Sequence, residues 1–141
     1  MSAIKPGLEV YNWTNQGYQP LVFSHDWQVA ILNWEPIFDL DKIGEIERHT
    51  QSDEVFVLLE GQAVLFTIGE DGLQVTDMQA GILYNVTQSS WHNLISTWDA
   101  RWIIVENRDT HLNDCEFRQL SSEEKADLFT RLPDWVCKTS E

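Results

Sequence analysis

The chain has 141 residues, 43% of them hydrophobic, with 7 Trp, 6 Phe and 3 Tyr. At about 100–200 residues per domain this reads as one domain over 1–141, with a core that needs neither disulfides nor a structural metal. Lys and Arg number 9 against 23 Asp and Glu, a net charge of −14. A field of that sign repels phosphate backbones and anionic lipids, which argues against a nucleic-acid or membrane partner. The aromatic content argues against disorder.

Short runs rich in Val, Ile, Leu, Phe and Trp follow one another, broken by turn residues, and this is the pattern of β-strands. Leu8–Trp13 is the first, closed by the turn Thr14-Asn-Gln-Gly17. Trp27–Trp34 follows and ends at Glu35-Pro36, since proline cannot donate to a ladder. Ile43–His49 alternates, and Val55–Leu59 is a continuous apolar run ending at Glu60-Gly61. Ala63–Ile68 and Leu73–Met78 flank Gly69-Glu-Asp-Gly72, a hairpin turn. Ile82–Thr87, Trp91–Thr97 and Trp102–Glu106 complete about nine or ten strands, the signature of a sandwich or barrel over about 20–108. Asn107–Arg118 reads as loop. Ser121-Ser-Glu-Glu124 is a capping box that opens a helix with Leu128, Phe129 and Leu132 on its apolar side, closed by Pro133 and expected to act as a lid or edge cover.

Cys115 and Cys137 are too few for a disulfide framework and lack metal-type spacing; they read as reduced thiols. No apolar run approaches the roughly 18 residues of a membrane span. Met1–Leu8 has no leader-like apolar stretch, so a cytoplasmic location is expected. Asn12-Trp-Thr14 and Asn85-Val-Thr87 match the glycosylation sequon, which carries no weight there. No Gly-rich phosphate loop, Gly-x-Ser-x-Gly elbow or Cys–His neighbour pair is present, so side-chain nucleophile hydrolysis is unsupported.

Four histidines remain: His25, His49, His92 and His111. His25 reads as a turn residue. His111 reads as a surface loop histidine, with an acid–base role over a barrel mouth as the sharper alternative. His49 ends one strand just before Glu54 begins the next, and His92 opens a later strand. Imidazole and carboxylate meeting at barrel strand ends would suit a first-row metal.

At these residues the sequence resembles the cupin superfamily. Glu54, six residues and Gly61 match the end of that family's first motif, within Glu47-Arg-His-Thr-Gln-Ser-Asp-Glu-Val-Phe-Val-Leu-Leu-Glu-Gly61. Gly81 and His92 stand at the spacing of the second motif, with Thr87, Ser89 and Ser96 in place of its Pro, Gly and Asn. The resemblance spans about 43–106 and implies an all-β fold: a double-stranded β-helix, or jelly-roll barrel, with a short C-terminal α-helix following in 109–141.

One motif histidine is missing. In one register His49 is the second histidine and Glu47 takes the first place; in the other His49 is the first and Gln51 takes the second. The first is preferred, because it keeps four residues between His49 and Glu54, as the family's pattern has it, and an extended strand aims Glu47 and His49 to one face. The resemblance then implies a metal set of Glu47, His49, Glu54 and His92 for a divalent Mn, Fe, Ni or Zn, with the oxygen share favouring Mn or Fe. Strand parity offers Phe56 and Trp102, with Tyr84, Trp34 and Gln51, as lining for a small-molecule pocket; the plainer alternative for such aromatics is ordinary core.

The fold does not fix a function. A metal-dependent enzyme on a small organic substrate (isomerase, epimerase, dioxygenase or lyase), a metal-free binding module and a structural homodimer all stay open. Closed homodimers are the commonest oligomers, and a small-molecule ligand with a homodimeric state is expected.

Overall fold

The structure is a computed structural model that describes residues 2–136, with side-chain surroundings from residue 6 onward. Cys137 lies outside the described residues. In chain order come β1 (Ser2–Lys5), β2 (Leu8–Tyr11), β3 (Gly17–Ser24), β4 (Trp27–Asn33), two single-turn 3-10 helices (Pro36–Phe38 and Leu40–Lys42), β5 (Glu45–Arg48), β6 (Glu54–Glu60) and β7 (Ala63–Gly69). Then come β8 (Gly72–Asp77), β9 (Leu83–Val86), β10 (Trp91–Ser96), β11 (Arg101–Asn107), α1 (Thr110–Asn113), β12 (Glu116–Gln119) and α2 (Ser122–Thr130).

β1 and β2 form a hairpin of their own; the other strands build two five-stranded sheets, ordered β12-β5-β10-β7-β8 and β3-β4-β11-β6-β9. Neighbours that are distant in sequence mark the rolled, jelly-roll path. Alternation decides which face goes inside. Along β11, Trp102, Ile104 and Glu106 are buried while Ile103 and Val105 are half-buried. Along β6, Glu54, Phe56 and Leu58 turn inward. These faces meet Leu65 and Leu94 of the other sheet in the inner core.

A second core lies on the outside of the first sheet. Ile46, Val64, Phe66 and Ile95 project there and meet Leu128, Leu132 and Val136. The helix therefore seals the back of a sheet; it is not a lid over the barrel mouth. An amphipathic helix gains most where an apolar sheet face would otherwise stay wet. The expected capping box is present: Ser121 Oγ accepts the Glu124 N–H, and the Glu124 carboxylate accepts the Ser121 N–H. Gly61, between β6 and β7, sits at φ +80°, and a Cβ there would lie 2.7 Å from Ala100 Cα, so the turn needs glycine for both conformation and space.

Arg118 grips Glu124 through both carboxylate oxygens at 2.8 and 2.9 Å. The guanidinium and the Ser121 N–H hold the Glu124 carboxyl down to about 2. A depressed carboxyl pKa stabilises the fold above the unfolded value of about 4.3 and loses that contribution as pH falls toward 2. Glu124→Gln keeps a capping amide and loses the ion pair. Both groups are partly exposed, so the expected loss is about 1 kcal/mol or less at pH 7. Urea midpoints should show the gap between variant and wild type closing as pH drops from about 4.5 toward 2.

Three strands lie outside the sequence pattern: β1, which precedes the run Leu8–Trp13 expected to come first, β3 and β12. β3 carries Pro20, which cannot donate to a ladder; it is tolerated because β3 is an edge strand with a register shift between Pro20 and Val22. β12, within the stretch that reads as loop, is a polar edge strand paired only to β5.

Candidate metal centre and its cavity

Strand register assembles the cluster. On the first sheet His92 of β10 pairs directly with Glu47 of β5. On the second sheet Glu54 of β6 pairs with Glu106 of β11. His49 follows β5 immediately and closes the group from the loop. One ligand atom from each of Glu47, His49, Glu54 and His92 lies within 4.8 Å of the others. Gln51, the alternative in the motif, is exposed, and its backbone N–H donates to the Asp114 carboxylate.

Glu54 Oε1 lies 2.9 Å from His49 Nε2 and 3.0 Å from His92 Nε2. Glu47 Oε2 is 3.3 Å from His49 Nε2 and 3.9 Å from His92 Nε2. Yet His49 Nε2, His92 Nε2 and Glu54 Oε1 are buried with no hydrogen-bond partner of acceptable geometry. They crowd together within 4.8 Å without bonding to one another. Two ligand atoms at right angles on a metal with bonds of about 2.1 Å are about 3.0 Å apart, close to the Glu54–imidazole spacings. The donor set and its orphaned atoms therefore fit a divalent cation.

The far sides of the rings are fixed. His49 Nδ1 is 2.7 Å from the Asp114 carbonyl oxygen, and His92 Nδ1 is 3.2 Å from that of Ser90. An Nδ1–H donated to a carbonyl leaves Nε2 free for a metal, the usual outer support of a ligand histidine. The Asp114 carboxylate accepts the N–H groups of Thr50 and Gln51 at 2.9 Å each. Those bonds outweigh burial and hold its carboxyl below the usual range. Ser89 stands where the family has glycine and keeps the left-handed φ of +69°; its N–H donates to His49 O at 2.7 Å.

Without a cation the charges lean on each other. Burial would lower the His49 pKa, but the adjacent Glu47 and Glu54 carboxylates override it and push it up to about 12. His92 is raised for the same reason, with Glu54 as its main partner. Burial would raise the Glu54 carboxyl, yet the two imidazoles hold it well below its ordinary value.

Glu106 is legible in the sequence only as an inward-facing acid, with no motif that assigns it to the site. Its Oε1 lies 4.0 Å from His49 Nε2. Its Oε2 accepts from the Tyr18 hydroxyl and, at 3.3 Å, from Gln28 Nε2. Burial, then the charge of Glu54, pushes its carboxyl up to about 7. Gln28 Nε2 is also 3.1 Å from His111 Nδ1, so His111 belongs to the cavity wall and not to the open surface. Tyr18 carries no sequence signal of its own because it sits on β3. Cys115, free and 3.7 Å from His49 Nδ1, has its thiol pushed up to about 11 by burial and the Glu47 charge.

The cluster floors a cavity of about 270 Å³. Phe56 lines it, with its ring edge toward His92 at 5.8 Å between centroids. The other expected lining residues lie elsewhere, because the cluster occupies one end of the barrel. Trp102 is fully buried deeper in the core, paired with Leu32 and Leu58. Tyr84 sits on the edge strand β9, with its hydroxyl accepting the Gln79 N–H. Trp34 lies past the far end of β4, donates to Asp39 Oδ1 and faces a separate hollow. Gln51 stays outside.

No protein-family model and no curated protein sequence matches the chain. Solved structures do. A point mutant of Bacillus subtilis oxalate decarboxylase superposes with a TM-score of 0.55 at 16% identity, over 78% of this chain and 30% of that one. A cupin-2 domain protein from Shewanella frigidimarina gives 0.48 at 24% identity, over 67% and 85%. A second oxalate decarboxylase structure from B. subtilis, studied for its Mn(II) centres, gives 0.49 at 16% identity, over 69% and 27%. No helix among the described residues is long and apolar enough to cross a membrane. The rolled pair of five-stranded sheets, together with the first of these likenesses, identifies the chain's architecture as the cupin fold.

Proposed function

We propose that the protein holds a divalent first-row metal through Glu47, His49, Glu54 and His92, and binds a small organic molecule in the adjoining cavity as a metal-dependent enzyme. The observation that carries this reading is the convergence of three buried, unpartnered donor atoms. Two carboxylate and two imidazole ligands favour Mn or Fe over Zn or Ni. When bound, such a metal supplies a Lewis acid at the cavity floor. Around it, Asp114 and Ser90 orient the two rings. Glu106, with Oε2 tied to Tyr18 and Gln28, presents Oε1 on the cluster side, where it can hold a proton. The test is metal content after expression with Mn, Fe, Ni and Zn supplied. About one metal per chain, lost in His92→Ala, supports the reading; a wild type free of all four overturns it.

A metal-free binding module is the second reading. Its support is that the raised histidine pKa values let protons supply the positive charge that the carboxylates demand.

We also propose that two copies pair through the outer face of the second sheet. Val29 and Ile31, Ile103 and Val105, and Val55 and Val57 lie side by side across β4, β11 and β6, all half-buried, while α2 packs on the other sheet. Leu83, 73% exposed, extends the row. Such a flat aliphatic face suits sheet-on-sheet packing. Sedimentation should give twice the chain mass for the wild type and the single mass for Ile103→Glu. A monomeric wild type at micromolar concentration rules the pairing out.

A further inference from the structure

Five glutamates line the cavity: Glu35, Glu45, Glu47, Glu54 and Glu106. Among the described residues no Lys or Arg lines it. The nearby arginines face away and are engaged: Arg48 with Glu116, Arg118 with Glu124, Arg101 with Glu60. A pocket for a carboxylate or phosphate normally offers a guanidinium, an ammonium or a cluster of N–H groups. This one offers neither of the first two.

The proposed metal accounts for only part of the negative charge. Histidines that ligate a metal are neutral, so a divalent cation is balanced by Glu47 and Glu54. Glu35 and Glu45 are left over, because Glu106, tied to Tyr18 and Gln28, is the group that can hold a proton. Glu35 is half-buried and Glu45 exposed, and the exposed part of the lining also includes Ile37 and Phe117. Aromatic rings from Tyr18, Phe38, Phe56 and Phe117 complete the wall. Carboxylates interleaved with aromatic faces are the two groups that attract an organic ammonium, by charge and by cation–π contact.

We infer that the cavity takes a small organic cation, an amine with an apolar body, in preference to carboxylate and phosphate compounds. The ammonium faces the surplus glutamates and the apolar body lies against the rings. This deepens the proposed function and rests on it for the neutral floor.

The test is calorimetric titration of metal-supplied protein at pH 7.5 with three probes that share a phenyl ring and differ in the head group: 2-phenylethylamine, 2-phenylethanol and phenylacetate. The amine should bind at least about tenfold tighter than the alcohol, the size of one good ammonium contact. Phenylacetate, with only the metal to hold its head group, should bind at least about tenfold more weakly than the amine. In the Glu35→Gln/Glu45→Gln double variant the amine should fall to near the alcohol, with the alcohol unchanged. Phenylacetate binding as tightly as the amine, an alcohol equal to the amine, or no binding by any probe overturns the inference. Metal is assayed on the same sample. A metal-free protein that still prefers the amine overturns the metal centre alone, and a loaded protein with no preference overturns the cation pocket alone.

Discussion

A Glu54→Gln variant binds divalent metal more than about 100-fold more weakly than the wild type, beyond the 10–100-fold typical of lost outer-shell support. Glu54 is the hub of the cluster: one oxygen approaches both imidazoles, and it is 5% exposed. The amide keeps the volume and one oxygen but not the charge. The cleanest readout is thermal. Saturating metal at about 1,000 times its dissociation constant stabilises a protein by about 4 kcal/mol. The wild type should show that upward shift in Tm, and the variant almost none. An equal shift in both would place the metal elsewhere.

The same substitution has a pH signature in metal-free protein. Glu54 is depressed, so its contribution is present above about 4.3 and fades as pH falls through its folded value. His49 and His92 are raised, so theirs is complete below about 6.5 and fades as pH rises through their folded values. The triad therefore stabilises most between about pH 4.5 and 6.5. Within that window Glu54→Gln strands two buried imidazoles and should cost about 3–5 kcal/mol, with a smaller cost on either side. Metal binding displaces the imidazole protons, so wild-type affinity should rise from pH 6 to pH 8.

Most of the barrel is legible because buried strands announce themselves. Val55–Leu59 and Ala63–Ile68 are apolar runs, and both are strands within a residue or two. What fails is local. Pro20 hides β3, an edge strand with no central ladder to break. Polar Glu116–Gln119 hides β12, because an edge strand paired on one side needs no apolar signal. The four candidate ligands are legible from spacing plus parity, and the structure brings them together. The lining is not, because parity tells which face turns inward but not how far along the barrel a residue lies. Trp102 shares Glu106's face yet sits two inward positions deeper. Glu106 itself could have been found from one clue, an acid on the inward face of an otherwise apolar strand. Its Tyr18 partner requires β3, and the Gln28 and His111 contacts require long-range pairing that no local pattern carries.

Trp102→Ala is expected to cost about 3–5 kcal/mol. Trp102 is fully buried, and it meets Phe38 edge to face at 5.5 Å between centroids, a preferred aromatic geometry. Truncation opens a cavity between Leu32 and Leu58, its neighbours on both flanking strands, and strands bonded on both sides cannot collapse to fill it. Trp102→Phe separates packing from polarity. The indole Nε1 is buried without a hydrogen-bond partner, and an unmade bond of that kind costs about 1–3 kcal/mol. Phenylalanine removes that penalty while keeping a ring against Phe38, so its net cost should stay below about 1.5 kcal/mol. Urea unfolding followed by far-ultraviolet circular dichroism measures both without relying on the lost indole. Phenylalanine costing as much as alanine would mean that the indole N–H is satisfied in solution. Because Trp102 sits away from the metal-ligand end, the Phe variant should keep the wild-type Tm shift with metal. Loss of that shift would show that the inner core, and not strand register alone, holds Glu54 and His92 in place.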